Sequence, residues 1–342
     1  MFKEKEDLGN NLLTKILDWL ILIDMNIVEL LNQLNFTTLF LIFIVSKLFI
    51  ETYLKTRNIK SINENKEKIP ERFTDVVTDE EYKKSINYNI ERIRFSILTS
   101  VFGVGVLLFF TIGGILNNLT VFVQAITASN ILGAILLGLL LIVIGEIIEI
   151  PLAVYSTFYI EEKYGFNKTT TKTFVTDLFK NLLIQSIFSS ILYAIVISII
   201  ENLGNNWWIF AFVAVFLLQL VIFYIYPVLI LPLFNKFEPL EDEKFKEPIE
   251  RLLKKIKFKA KGLFVMDGSL RSSHGNAFFT GFGSNKRIVF YDTLLETITP
   301  DEMESILGHE LGHYKLGHIK KTLISSIFFG FAGFYILGQV FQ

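Results

Sequence analysis

The 342-residue sequence contains no cysteine, four histidines and seven prolines. The lack of cysteine excludes disulfide bonds, thiolate metal sites and a cysteine nucleophile. Histidine, aspartate and glutamate are therefore the side chains that can hold a metal ion. The formal net charge is −1, and no stripe of lysine and arginine interleaved with aromatic residues occurs. The sequence therefore predicts no nucleic-acid partner.

Apolar residues are abundant and gathered into long runs. The chain is 51% hydrophobic and 20% charged, so the charges must lie outside those runs. A membrane-spanning helix needs about 20 apolar residues. The runs that meet this need are 36–54, 95–116, 131–153, 182–200, 207–233 and 322–341. The expected fold class is mainly α, a polytopic membrane protein with about six spans and a small α+β segment.

The amino terminus, residues 1–35, also carries an apolar stretch. Asp18, Asp24 and Glu29 interrupt this stretch, and no small-residue cleavage site follows it. This pattern argues against a removable signal peptide and favours an amphipathic interfacial helix or a weak extra span.

Basic residues alternate between the connections. Residues 55–94, 157–181 and 235–321 are rich in lysine and arginine, whereas 117–130 and 201–206 contain neither. Short loops that face the cytoplasm are enriched in these residues. The sequence therefore predicts that the three basic connections lie on the cytoplasmic side, with the amino terminus opposite.

Three segments follow from this pattern. Residues 1–234 form a membrane region with the interfacial helix and five spans, and residues 322–342 form the sixth span. Between them, 235–321 is long enough for a small folded unit on the cytoplasmic side. Within it, Leu240 to Lys257 has helical apolar spacing, whereas 262–266 and 287–291 are short apolar runs typical of strands.

A helix should begin at Thr299. The threonine is a good N-cap, Pro300 suits the first helical position, and Glu302 completes a capping box. This helix would carry the sequence His309-Glu310-Leu311-Gly312-His313, the HExxH motif of zinc peptidases.

The spacing of HExxH suits one metal ion. At about 100° per residue, His309 and His313 lie one turn apart on one helix face, so both imidazoles can bind a single zinc ion. Glu310 lies beside that face and is the candidate general base for a zinc-activated water. The alternative, a helix that merely contains two histidines, is weak because three of the four histidines fall within ten residues.

Two other sets of polar residues are less specific. His318 follows His309 by nine residues, which on a continuous helix rotates it by about half a turn, so we expect a role behind a ligand or at the interface rather than ligation. Glu146 and Glu149 lie near the end of an apolar span, where a charge normally faces a partner or water. We assign these two glutamates no catalytic role.

Residues 267–281 are typical of a loop that runs into a strand. Peptidases commonly bind substrate as an added strand at a sheet edge, so main-chain groups near Asn276 and Ala277 are candidates for pairing with the substrate. The Asn276 side chain could add a hydrogen bond. His274 in the same loop is a further candidate substrate-binding residue.

Four segments resemble the integral-membrane CAAX prenyl protease family of type I. Each is a run of consecutive residues, and they occur in the family's order. They are Ile160 to Asn167, Leu231 to Leu240, Asp267 to Gly281 with Lys286 to Val289, and His309 to His318.

The resemblance implies a zinc endopeptidase with seven membrane helices around a large internal chamber. It implies one zinc ion per chain held by His309 and His313, Glu310 as the catalytic base, and Asn276-Ala277 on the substrate-binding strand. The implied substrate is a prenylated CAAX protein or a related membrane-associated peptide. The implied location is a membrane of the bacterial inner-membrane or endoplasmic-reticulum type, with lipid as a partner.

The sequence departs from the family pattern after His318, where no aspartate, glutamate or histidine occurs. Family members continue into a seventh span and a helix that supplies a glutamate as third zinc ligand. We therefore expect a fragment that ends at Gln342, binds zinc weakly by itself and is inactive in this length. The alternatives are a heat-shock-type membrane quality-control peptidase and an inactive pseudoprotease that serves as a scaffold.

The charge alternation makes a testable prediction of topology. Single cysteines introduced at Lys66 and at Lys286 of this cysteine-free chain should be labelled from the same side of the membrane. A membrane-impermeant thiol reagent applied to sealed vesicles of known orientation measures this, and the cysteine-free protein is the control. Labelling of the two positions from opposite faces would show the assignment to be wrong.

Overall fold

The structure is a computed structural model that describes residues 36–256, 258, 261–280 and 286–341. The predicted amino-terminal interfacial helix, within residues 1–35, lies outside the described residues.

Six helical segments are long and apolar enough to cross a membrane. They are Phe36–Asn65, Asp79–Thr111, Asn130–Glu161, Thr171–Asn202, Gly204–Phe234 and His318–Val340. Each contains one of the predicted apolar runs for most of its length, so the predicted polytopic α-helical class is confirmed. Most of the helices extend beyond the apolar runs, because flanking polar residues continue the helix outside the hydrocarbon layer.

The chain divides into two compact units between Gly113 and Gly114. The first unit contains α1 (Phe36–Asn65) and α2 (Asp79–Thr111). The Lys55 ammonium donates to the Ser96 carbonyl oxygen at 3.2 Å and to the Ser100 hydroxyl at 2.8 Å. These bonds pair the two helices and give Lys55, which follows the first apolar run, two polar partners.

The second unit holds the remaining membrane helices and the peptidase segment. Its helices before the sheet are α3 (Ile115–Ile126), α4 (Asn130–Tyr155), α5 (Thr171–Asn202), α6 (Trp207–Ile225) and α7 (Leu231–Phe234). Wider π-helical turns continue α4 through Ser156–Glu161 and join α6 to α7 through Tyr226–Ile230. Pro151 and Pro227 lie near these turns and remove helical hydrogen bonds there.

Helix α3 was not predicted. The sequence interpretation treated 117–130 as an uncharged connection, whereas Ile115–Ile126 forms an apolar helix of 12 residues. A helix of this length extends about 18 Å, too short to cross a hydrocarbon layer of about 30 Å. Its apolar residues escape a search for spans because the run is interrupted by Asn117, Asn118 and Thr120.

A four-stranded sheet follows the fifth span. Its strands are β1 (Phe237–Pro239), β2 (Gly262–Met266), β3 (Ala277–Thr280) and β4 (Arg287–Tyr291), in the spatial order β1-β2-β4-β3. β2 and β4 are parallel, and the two outer pairs are antiparallel. The predicted strands at 262–266 and 287–291 are confirmed, as is the helix after Leu240, which is α8 (Glu243–Lys255).

The hydrophobic core of this segment lies between the sheet and three helices, α8, α9 (Asp292–Thr297) and α10 (Pro300–Lys315). Helix α8 buries one face through Phe245, Ile249 and Leu253, which recur at intervals of four residues. From β4, Ile288 and Phe290 are almost completely buried against this face. The core therefore holds α10 against a rigid sheet. The proposed boundaries at residues 234 and 321 stay predictions.

The last helix, α11 (His318–Val340), packs closely against α6. Phe331 and Tyr335 make edge-to-face contacts with the Trp208 ring, with centroids 5.4 and 5.3 Å apart. Gly338 is buried beneath the same indole, and a Cβ atom there would lie 2.4 Å from Trp208 Cδ1. The missing side chain therefore permits the close approach of the two helices.

Gly338→Ala should lower the thermal stability of the protein in detergent, because the added methyl group overlaps atoms close to the Trp208 backbone. Overpacking of this kind typically costs about 1–3 kcal/mol. Gly333→Ala on the same helix is the matched control, since its Cβ would meet nothing within 4 Å. Equal melting temperatures for the two variants would contradict the packing described here.

Candidate active site

Helix α10 begins as the sequence predicts. Thr299 is the N-cap, and its main-chain N–H and hydroxyl donate to the Glu302 carboxylate at 2.8 and 2.9 Å. These hydrogen bonds, above all the one from the main chain, lower the pKa of the Glu302 carboxyl. Because the fold favours the ionised form, the capping hydrogen bonds stabilise the helix most at pH values above the ordinary carboxyl pKa. This stabilisation is lost as the pH falls through the lowered pKa.

The buried face of α10 determines where its HExxH residues point. Met303, Leu307 and Leu311 lie one turn apart and are at most 5% exposed. The histidines of the motif lie on the exposed side of the helix. The Nε2 atoms of His309 and His313 are 3.1 Å apart, and their ring centroids are 4.8 Å apart.

These two nitrogens fit a metal ion. Two zinc-bound nitrogens at about 2.0–2.1 Å from a tetrahedral ion lie roughly 3.3–3.4 Å from each other, close to the observed separation. Within residues 36–256, 258, 261–280 and 286–341, no group of three or more histidine, aspartate or glutamate side chains is arranged to hold a metal. The described residues therefore bring two imidazoles together here, and their role as metal ligands stays a prediction.

Strand β3 lies next to α10 at the end of the sheet. In the order of the described strands it pairs only with β4. The N–H of Tyr291 donates to the Asn276 carbonyl, so the alternation of an antiparallel pair turns the main-chain groups of Ala277 and Phe279 away from β4. Of these groups, the Ala277 N–H donates to the Asn276 side-chain oxygen, whereas the Ala277 carbonyl and the Phe279 N–H and carbonyl lie along the outer edge of the strand.

The predicted substrate-binding residues lie in or beside this strand. Ala277 is its first residue and is 8% exposed, whereas the Asn276 side-chain oxygen accepts a hydrogen bond from the Ala277 N–H. His274 stacks on Phe166 with centroids 4.2 Å apart, and its Nε2 lies 3.4 Å from a Glu161 carboxylate oxygen. The His274 side chain thus contacts the segment 161–166, and its substrate-binding role stays a prediction.

A half-buried ion pair connects the loop before β3 to the membrane helices. Arg271 donates to both Asp177 carboxylate oxygens, at 2.6 and 2.9 Å, and to the Phe234 carbonyl at 2.8 Å. In return the Arg271 carbonyl accepts from the Lys168 N–H and the Thr169 hydroxyl. Sequence reasoning missed Arg271 and Asp177, since they lie 94 residues apart and belong to no spaced motif.

The same loop also binds the end of the fifth span. The Asp267 carboxylate accepts from the Asn235 side-chain amide at 3.0 Å and from the Lys236 N–H at 2.9 Å. Three of the segments that carry the family resemblance, around 160–167, 231–240 and 267–281, therefore meet at one junction. This junction sets the position of β3 relative to α5 and α7.

One of the two intramembrane glutamates has a partner. The Gln185 side-chain amide on α5 donates to the Glu146 carboxylate on α4 at 3.0 Å. This contact fits the expectation that a charged group within an apolar span is paired.

Comparison with known proteins matches these features along most of the chain. A family model described as CAAX prenyl protease N-terminal, five membrane helices, matches residues 58–236. The model of peptidase family M48 matches residues 239–342. The spans, the HExxH helix and these matches define the class, an integral-membrane metallopeptidase.

Individual relatives are similar to the chain over most of its length. CAAX prenyl protease 1 of Saccharomyces cerevisiae is 34% identical over 312 residues, which cover 88% of this chain and 68% of the yeast protein. The Arabidopsis thaliana homologue is 35% identical, with 83% and 68% covered. The crystal structure of Saccharomyces mikatae Ste24p matches with a TM-score of 0.80 and 32% identity, covering 87% of this chain and 70% of that one. The chain belongs to the CAAX prenyl protease family.

Arg271→Ala should destabilise the protein, because it leaves the Asp177 carboxylate without its guanidinium partner. Hydrogen bonds to charged groups contribute about 1.5–3 kcal/mol each when partly buried. Arg251→Ala is the matched control, since Arg251 meets Glu304 at 3.6 Å on the surface with 69% of its side chain exposed. Such surface pairs contribute about 0–1 kcal/mol. Thermal unfolding in detergent measures both, and a larger loss for Arg251→Ala would contradict the junction's importance.

Proposed function

We propose that the chain is a zinc endopeptidase in which His309 and His313 bind the metal ion and Glu310 is the general base. The single observation that carries this proposal is the convergence of the two imidazole Nε2 atoms, 3.1 Å apart, on the exposed face of a helix whose other face is buried. Glu310 follows His309 on the same helix turn, so its carboxylate would be within reach of a water molecule bound beside the two imidazoles.

The chain's own groups would share the work of peptide hydrolysis. A bound zinc ion supplies Lewis acidity to the scissile carbonyl and to the attacking water. Glu310 would accept the proton of that water and return it to the leaving amine. The Ala277 carbonyl and the Phe279 main-chain groups would hold the substrate as an added antiparallel or parallel strand, which would fix the scissile bond next to the helix.

The substrate is inferred from the relatives. Their names describe CAAX prenyl proteases, so we propose that this chain cleaves near the carboxyl terminus of prenylated CAAX proteins or related membrane-associated peptides. The basic connections support a catalytic segment on the cytoplasmic side, where prenylated proteins meet the membrane. The match of the five-helix membrane model across 58–236 supports this assignment over the heat-shock-type peptidase, which has fewer spans.

In a protein long enough to be active, Glu310→Gln should abolish most turnover while zinc stays bound. The amide keeps the size of the side chain and leaves both histidines unchanged, but it cannot accept the proton. Removal of a general base costs roughly 10²–10⁴-fold in rate. The measurements are cleavage of a fluorogenic prenylated peptide and metal content of the purified protein.

The matched control is Glu304→Gln, the same change on the same helix outside the motif. It should keep turnover within a few-fold of the unmodified protein. If Glu310→Gln hydrolyses the peptide as fast as Glu304→Gln, Glu310 is not the base.

A further inference from the structure

His318 occupies a position that HExxH alone does not explain. Helix α10 ends at Lys315, and Gly317 adopts a left-handed conformation with φ of 66°, so that α11 begins anew at His318. The helix is not continuous through His318, and the half-turn rotation expected from its spacing therefore does not apply. The break directs the His318 ring back to His313, with the Nδ1 atoms of the two rings 2.7 Å apart.

The two nitrogens of the His313 ring have different partners. Its Nε2 faces Nε2 of His309, whereas its Nδ1 meets Nδ1 of His318. A neutral imidazole carries one N–H and one lone pair. If Nε2 of His313 uses its lone pair for a metal ion, Nδ1 must carry the hydrogen and must donate it to His318.

We infer that His318 is a positioning residue, whose Nδ1 accepts a hydrogen bond from the Nδ1–H of His313 and so fixes the ring orientation and tautomer of that ligand. This inference rests on the proposed function, since it takes His313 as a zinc ligand. Metal-binding histidines generally donate their second N–H to a carboxylate, carbonyl or water. In this chain the acceptor is the neutral imidazole of His318, which orients the ligand without adding negative charge to the site.

The geometry separates this role from ligation. The contact with His318 lies on the Nδ1 side of the His313 ring, whereas the metal-binding pair faces the Nε2 side. Because His318 is the first residue of α11, the last described membrane helix begins at the residue that orients the ligand. A shift of that helix would move the acceptor away from His313.

The test compares zinc affinity in four proteins purified in detergent, the unmodified protein and three variants, by competition with a chelating dye. His318→Leu removes the acceptor and should weaken zinc binding about 10–100-fold, the usual effect of losing such a partner. His318→Asn should restore affinity to near the unmodified level, because its side-chain oxygen can accept the same hydrogen bond. Lys320→Leu, an exposed position in the same turn, should leave affinity unchanged.

A second readout reports the hydrogen bond itself. The chain has four histidines, so labelling with ¹⁵N-histidine yields a small set of resonances. The zinc-loaded protein should show Nδ1–H on His313, Nε2–H on His318 and a scalar coupling between the two Nδ1 nuclei across the hydrogen bond. Zinc affinity of His318→Leu equal to that of the unmodified protein, or a zinc-bound His318 nitrogen, would overturn the inference while leaving the proposed function intact. Failure of the unmodified protein to bind zinc would overturn both.

Discussion

The geometry of the site depends on the burial of one face of α10. Met303, Leu307 and Leu311 pack against the sheet and α8, and this apolar contact fixes the orientation of the helix about its axis. The HExxH histidines therefore lie on the opposite, exposed side of the helix. The two imidazoles converge because apolar packing fixes the orientation of the helix. The polar residues of the motif contribute little to this orientation.

A second constraint relates the site to the membrane helices. The loop before β3 is bound by Arg271 to Asp177 on α5 and by Asp267 to the end of the fifth span. These contacts therefore fix the position of the strand that follows relative to the spans of the same unit. In the proposed function, a lipid-anchored substrate would need such a connection, because its scissile bond would have to reach α10 at a fixed depth.

Much of this architecture could be predicted from local patterns. The capping box at Thr299 and the two short apolar strands have signals within a few consecutive residues, and each of the six spans has one within a single continuous apolar run. The structure confirms them. Contacts between distant residues have no such signal. Neither the pairing of Arg271 with Asp177 nor the stacking of His274 on Phe166 follows from spacing. The contact of His318 with His313 depends on a break at Gly317 that the helical pattern conceals.

Zinc K-edge X-ray absorption of the purified protein tests the central claim most directly, because it reports the ligands of the ion itself. The account predicts scattering from two imidazole nitrogens at about 2.0–2.1 Å, and the loss of this pattern when His309 and His313 are both replaced by alanine. An unchanged imidazole signal in the double variant would contradict the assignment of these two histidines as the metal ligands.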